Sequence, residues 1–510
     1  YINSREDFEI ASGEKTPSSA VINMETVSGE VVAVDKNGEK IASVVEIFEF
    51  LNGKVMPAFS VKDEETALKL AKILKTNSIG DTFIISDNTD LLRKVYTEYN
   101  MMRGIVDYTS SDFSSVTDES EIMQTIMEET NKANTKIALL PESLASKENI
   151  RYLQRRFMTV FVEAENTDAA SLWNMIIAGS SGIISSNWAD IINMMETVAP
   201  NTRGATPIIT KTPFIVGHRG LPSQCPENSI SGGLAAIENG ADMVEIDVYL
   251  SKDGVAFLNH DYTLDRTTNC TGNRNTATMT IDEITSYKFR EVVNGNVTST
   301  VLDEHVPTAR EYFEAMKGKD VVIVCELKTS DPNIVPAMKE LIEELDMKDQ
   351  FVFISFYRDL IALTNAQMPW SASADLNLNG STNDKNMASN MKNLLTITRT
   401  YNCVPDGAYN TYSLAYIRNA NYRGVPIYSW TYRDENLLRS QFVNGQSGLT
   451  TDYSNWSKTY TTDVYADDER LATDETTLIM STAENQTTAV KYRRNTKIGI
   501  KSAVTNGKLY

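Results

Sequence analysis

The sequence predicts an α/β protein: a TIM (β/α)8 barrel, preceded by a partial, degenerate copy of the same barrel and followed by a small β appendage. Three observations carry this expectation. Between residues 213 and 452, short apolar or β-branched runs alternate with amphipathic helical patterns. A stretch near the start of the chain repeats a later stretch at a fixed offset. After about residue 455 the alternation gives way to a Thr-rich, partly alternating tail with an Asn-Gly turn signal.

The strand candidates of the main barrel are "FIVGH", "MVEIDVYL", "VAFLNH", "VVIVCEL", "FVFISF", "WSASADL", "CVPDGAY", "VPIYSW" and "SGLTTD". Strands that are apolar almost throughout, separated by amphipathic helices, belong to a parallel sheet covered by helices. Eight such units over about 250 residues fit a closed barrel. A doubly wound open sheet would call for a Gly-rich dinucleotide fingerprint, and the sequence has none.

The repeat relates "MTVFVEAENTDAASLWNMIIAGSSGIISSNW" (158–188) to "GVPIYSWTYRDENLLRSQFVNGQSGLTTDYS" (424–454). Gly179 aligns with Gly445 (445 − 179 = 266) and Asp168 with Asp434, and the same offset carries Lys62 onto Lys328. Residues 41–190 therefore read as the rear of a second barrel, with six strands of their own. Residues 1–40 could supply a hairpin in place of its front. The domain expectation is 1–205 for this partial barrel, 206–457 for the complete one and 458–510 for the β appendage.

Composition narrows the partners. The net charge is −20 and the pI about 4.8, which argues against nucleic acid. An anionic substrate must then be met by a local metal, Arg or Lys. No apolar run approaches the roughly 20 residues that span a bilayer. The four cysteines form no CxxC pair, so a zinc site is not indicated. Cys225 and Cys270 are read first as loop thiols, with a disulfide between them left open.

The chemistry concentrates in three segments. In "MVEIDVYL", Glu245 and Asp247 are i and i+2 and project to the same side of a strand. Two buried carboxylates side by side repel, and a hard divalent cation with oxygen ligands relieves that. The pattern alone leaves this even with an ordinary edge strand. In "VVIVCELK", Glu326 can complete such a site and Lys328 stands beside it as a point charge suited to phosphate. His218 and His260 end apolar runs, where barrel enzymes place their active sites, and fit an acid/base pair. Arg219 offers a planar fork for phosphate. His305, the third histidine, is read as a loop residue. Together these groups describe phosphate-ester hydrolysis.

The ordered set "GHRG", "PENS", "EIDVYLSKDG", "NHDYTLDRTTNCTG", "CELK", "SWT" and "GLTTD" closely resembles the glycerophosphodiester phosphodiesterase family over residues 213–454. The resemblance implies a TIM barrel, one divalent cation (Ca²⁺ or Mg²⁺), and cleavage of small glycerophosphodiesters to glycerol 3-phosphate and an alcohol. It casts Glu245, Asp247 and Glu326 as metal ligands and His218 and His260 as acid and base. It casts Arg219 and Lys328 as phosphate contacts, Glu227 and Asn228 as groups that order the site, and Trp430 as a wall of the glycerol pocket. Ser229 stands where the family usually has Thr. In the first copy the offset puts Ser60 at Glu326, Ala164 at Trp430 and Ser186 at Asp452, and no histidine precedes 218. That copy is expected to be catalytically silent. Two alternatives stand beside hydrolysis of small diesters. One is hydrolysis of polymeric glycerol phosphate such as teichoic acid. The other is a cell-surface or cell-wall binding protein in which the silent copy and tail dominate. Composition and tail fit an extracellular or cell-surface, bacterial setting.

Overall fold

The structure, a computed structural model, describes residues 1–198, 211–459 and the backbone of three later strands. The expected boundary at 205/206 and most of the tail lie outside the described residues. A first sheet contains β1 (Ser19–Val27), β2 (Glu30–Val34), β3 (Lys40–Ser43), β4 (Met56–Ser60), β5 (Phe83–Ser86), β6 (Arg103–Asp107), β7 (Ile137–Pro141), β8 (Thr159–Glu163) and β9 (Gly182–Ile184). Its order is β3-β2-β1-β4-β5-β6-β7-β8-β9. The six strands expected from the sequence are β4 to β9. The structure adds a seventh parallel member, because β1 serves two partners. Its first half (Ser19 to Asn23) pairs parallel with β4, and its second half (Met24 to Val27) forms the expected hairpin with β2. Ile2 makes a lone parallel bridge to Ile22.

The second sheet contains β10 (Phe214–Gly217), β11 (Met243–Leu250) and β12 (Ala256–Leu258). A separate hairpin follows, of β13 (Lys288–Val293) and β14 (Asn296–His305). The sheet resumes with β15 (Val322–Leu327), β16 (Phe351–Ser355), β17 (Ser373–Asp375), β18 (Cys403–Ala408), β19 (Tyr428–Tyr432) and β20 (Gly448–Thr451). β10 pairs in parallel with both β11 and β20, which closes eight parallel strands into a barrel. One strand assignment needs correction. "VAFLNH" is not a stave of the barrel. A tight turn around Gly254 (φ +82°) folds β12 back antiparallel on the end of β11. Beyond the barrel, Tyr465–Ala466, Glu475–Ser481 and Thr487–Arg493 form a three-stranded antiparallel sheet, β21 to β23.

Alternation along the barrel strands sorts the side chains. Val244, Ile246, Val248, Ile323 and Cys325 point outward and pack under the helices. Met243, Val322, Val324, Val352, Ala374 and Val404 fill the interior at the end where the strands begin. Polar residues occupy the opposite end. All four cysteines are free thiols.

The two sheets meet floor to floor, each presenting the ends where its strands start. Phe157 (φ +64°) reaches from the first sheet into the apolar interior of the barrel, where it is fully buried against Tyr428 with ring centroids 4.5 Å apart. In return Gly424 approaches Ile137 and Phe161 at the floor of the first sheet. Arg156 pairs with Asp349 at 3.6 Å and Arg423 with Asp81 at 2.7 Å. Arg151–Asp242 and Arg155–Asp320 add two more ion pairs along the seam.

Candidate active site

The open, polar end of the barrel gathers the residues singled out from the sequence. Glu245 and Asp247 project inward from β11 and Glu326 from β15, with Asp247 directly beside Glu326 in register. All three are buried, and one carboxylate oxygen from each lies within 4.8 Å of the others. Burial and the neighbouring Asp247 and Glu326 charges push the Glu245 carboxyl well up. Burial and Asp247 likewise raise Glu326. Burial opposes ionisation of Asp247 as well, but Arg219 and Lys328 outweigh it and hold its carboxyl low. Lys328 Nζ lies 3.5 Å from Asp247 and 3.3 Å from Glu326. Three acids against two bases leave the cluster short of positive charge. Asp247 Oδ1 also has no hydrogen-bond donor. An all-oxygen, anionic, partly unsatisfied donor set of this kind fits a hard divalent cation.

The loop after β10 is shaped to hold this cluster. Arg219 and Asn228 both adopt left-handed backbone (φ +55° and +56°), a conformation that surrounding contacts must enforce. It aims the Arg219 N–H at Glu245 Oε2, 2.8 Å away. Gly220 (φ +92°) lies so close to Gly232 that a Cβ would sit 2.6 Å from that residue's carbonyl carbon. Asn228 grips Asp247 twice. Its Nδ2 donates to Oδ2 at 2.8 Å, and its Oδ1 accepts from the Asp247 N–H at 2.9 Å. Glu227 bridges Arg219 (3.1 Å) and Arg266 (2.8 Å). Glu227 and Asn228 thus hold Arg219 and Asp247 in position. The Arg219 fork is itself turned toward Glu227 and Asp247.

Both histidines are oriented by carboxylates. His218 Nδ1 contacts Asp452 at 2.5 Å, and Asp452 in turn pairs with Arg433. His260 Nδ1 contacts Asp261 at 2.7 Å, and Asp261 pairs with Arg266 at 2.6 Å. A carboxylate on Nδ1 favours the proton there and leaves Nε2 for chemistry. Burial lowers the His218 pKa, against the opposing pull of Asp452. His218 follows a barrel stave, whereas His260 follows the returned strand β12 rather than a stave of its own. His305 lies apart, 3.1 Å from Glu311.

His218, Arg219, Glu245, His260, Glu326 and Lys328 line one side of a cavity of about 190 Å³. Ile354, Phe356, Leu376 and Trp430 line the other, with Asp406 among them. Trp430 packs edge-on to Phe356 (centroids 6.0 Å apart) and its Nε1 donates to the Asp406 carbonyl at 2.8 Å. The orienting acids Asp261 and Asp452 went unassigned in the sequence, although each lies within a quoted motif. Asp406 carried a signal too, as an acid inside the apolar run "CVPDGAY".

The family model of the glycerophosphoryl diester phosphodiesterase family matches residues 218–455. The barrel belongs to the glycerophosphoryl diester phosphodiesterase family. Curated relatives agree and make the chain an enzyme of this kind. A glycerophosphodiester phosphodiesterase of Caldanaerobacter subterraneus is 27% identical over 246 residues, covering 47% of this chain and 93% of that protein. One from Bacillus altitudinis is 31% identical over 163 residues, covering 30% and 62%. Human glycerophosphodiester phosphodiesterase 1 is 31% identical over 171 residues, covering 31% and 50%. Among solved structures, a phosphodiesterase from Oleispira antarctica in complex with the product sn-glycerol-3-phosphate is 22% identical, with TM-score 0.41 and coverage of 48% and 94%. The phosphodiesterase match begins at His218 and so leaves the first sheet outside it.

Proposed function

We propose that the barrel hydrolyses glycerophosphodiesters to glycerol 3-phosphate and an alcohol, with a divalent cation and a His218/His260 proton relay. The observation that carries this is the convergence on one cavity of Glu245, Glu326, Lys328 and two histidines each tied to an aspartate, with Asp247 clustered against the two glutamates. Glu245, Asp247 and Glu326 would hold the cation. When bound, it would polarise the phosphate and screen its charge.

The chain's own groups supply the rest. Neutral His218 takes the proton from the glycerol 2-hydroxyl, whose oxygen attacks phosphorus. The bond to the alcohol oxygen breaks, and protonated His260 gives that oxygen its proton. A water then attacks the resulting cyclic phosphate. His260 takes the water's proton and His218 returns its own to the 2-oxygen, so one water is consumed. The low pKa of His218 suits it to the base role. Lys328 stands beside the ligands as a fixed positive charge, and Trp430 with Phe356 forms the wall for the glycerol carbons.

The test is release of glycerol 3-phosphate from glycerophosphocholine, with EDTA and then with Ca²⁺ or Mg²⁺ restored. Loss in EDTA and recovery with one cation is the expected result. Turnover untouched by EDTA would sink the metal. Inactivity on this diester, with turnover of a glycerol-phosphate polymer, would move the substrate to teichoic-acid-like chains. The first sheet carries no comparable cluster among the described residues, which supports a silent, structural or binding role for it.

A further inference from the structure

Asp406 has no part in the proton relay or the cation cluster, yet it faces the same cavity. It is 3% exposed, and its Oδ1 has no hydrogen-bond partner. Alternation along β18 turns Val404 and Asp406 inward together, and Val404 belongs to the barrel interior. No Lys, Arg or His forms an ion pair with it among the described residues. Burial alone pushes its carboxyl up to about 7. A buried carboxyl with an idle oxygen is costly to keep. Around it stand Ile354, Leu376, Phe356 and Trp430, surfaces suited to carbon rather than phosphate.

We infer that Asp406 is a specificity-determining residue that accepts a hydrogen bond from the terminal hydroxyl of the glycerol group seated against Trp430. This rests on the phosphodiesterase reading and deepens it. The phosphate and the 2-hydroxyl are engaged at the charged side of the cavity. The terminal hydroxyl is then the remaining polar group of the glycerol, and it falls on the apolar wall where Asp406 holds an unpaired acceptor. A substrate lacking that hydroxyl strands the carboxyl without a partner. A quaternary ammonium fits the position less well. So little of the carboxyl is open that a single hydroxyl reaches it where a bulky head would not.

The experiment compares two substrates under saturating Ca²⁺ or Mg²⁺: glycerophosphocholine, and the phosphocholine diester of propane-1,2-diol. The second keeps the attacking hydroxyl and lacks the terminal one. Wild type is expected to favour glycerophosphocholine by on the order of 10²-fold in kcat/KM. Asp406→Leu should bring that ratio to within a few-fold of one. Asp406→Asn, which keeps an acceptor oxygen and the shape, should hold an intermediate ratio and covers the case in which the Leu variant does not fold. A wild-type preference that persists in folded Asp406→Leu and Asp406→Asn overturns the inference and leaves the phosphodiesterase reading standing. An effect of either variant on choline esters but not on ethyl esters also overturns it, because the carboxylate would then face a cationic leaving group. A wild type that turns over neither diester with either cation overturns both readings.

Discussion

The two sheets present nearly the same strands at their open ends and opposite chemistry there. The register makes the comparison residue by residue. In the barrel, Glu245 pairs with Val324 and Asp247 with Glu326. In the first sheet Val21 pairs with Ala58 and Asn23 with Ser60. Offset 266 carries Ala58 and Ser60 onto Val324 and Glu326, and the shared pairing register then puts Val21 and Asn23 in the places of Glu245 and Asp247. The three acids of the barrel thus stand where the other half has Val21, Asn23 and Ser60. Only the lysine survives, Lys62 for Lys328. Polar outlines persist, but the charge that would draw a cation is gone. A cluster of buried acids is stable only with compensation. Once a bound cation has no role, a neutral set of the same shape removes the repulsion. The difference teaches that scaffold and site can decay separately. The strands and helices of the first half are intact, and its interior of Phe83, Ile85, Ile105 and Phe161 remains packed.

The largest expected effect comes from making the barrel resemble its neighbour. Glu245→Gln, or the pair Asp247→Asn with Glu326→Ser, should cost at least about 10²-fold in cation affinity, with turnover following. Isothermal titration with Ca²⁺ or Mg²⁺ checks this. The reverse graft of Val21→Glu, Asn23→Asp and Ser60→Glu should yield no turnover, since the first half has no histidine. Next come the proton carriers. His218→Ala and His260→Ala should each lower kcat by about 10²–10⁴-fold. The base must be neutral to work, and a lowered pKa keeps it neutral further into acid. The acid limb of kcat/KM should therefore fall below the ordinary histidine value of about 6.5. Asp452→Asn removes a group that raises the His218 pKa and should move that limb lower still.

A smaller change tests the seam. Phe157→Ala empties a fully buried site in the barrel interior and should cost about 3–5 kcal/mol of stability, read by denaturant unfolding. The assigned roles leave turnover of the folded fraction near wild type. The smallest effect belongs to Lys62. If it is a relic without a ligand, Lys62→Ala should shift stability by no more than about 0.5 kcal/mol and leave turnover alone. A change in either beyond that range would mean that the first half still uses its mouth.

Much of this was legible in the sequence because strand periodicity is rigid. Once Glu245, Asp247 and Glu326 were placed on strands, their common side followed from the pleat. His218 and Lys328 fell near them because the staves of a barrel all end at one mouth, whereas His260 reaches that mouth on the returned strand β12. What periodicity does not encode was missed. The direction of "VAFLNH" depends on a four-residue turn, and a short apolar run looks alike in parallel and antiparallel pairing. The parallel pairing of β1 with β4 is a long-range choice with no local signature. The offset also slips locally. Gly182 packs on Phe161 as Gly448 packs on Tyr428, and this sets Glu163, not Ala164, opposite Trp430 (428 − 161 = 267). The loss of the aromatic wall stands, but a carboxylate replaces it.

The floor-to-floor seam has one more consequence. Each half lends an arginine from the segment before its second-to-last parallel strand (β8 or β19) to an aspartate two residues before a strand of the other (β16 or β5): Arg156 to Asp349 and Arg423 to Asp81. Reciprocity of this kind is the mark of an isologous dimer contact. Here both protomers lie on one polypeptide. An association that would ordinarily fade on dilution has become intramolecular, with an effective concentration fixed by the connecting segment. The pair therefore holds together however scarce the protein is, and its unfolding midpoint should not move with protein concentration.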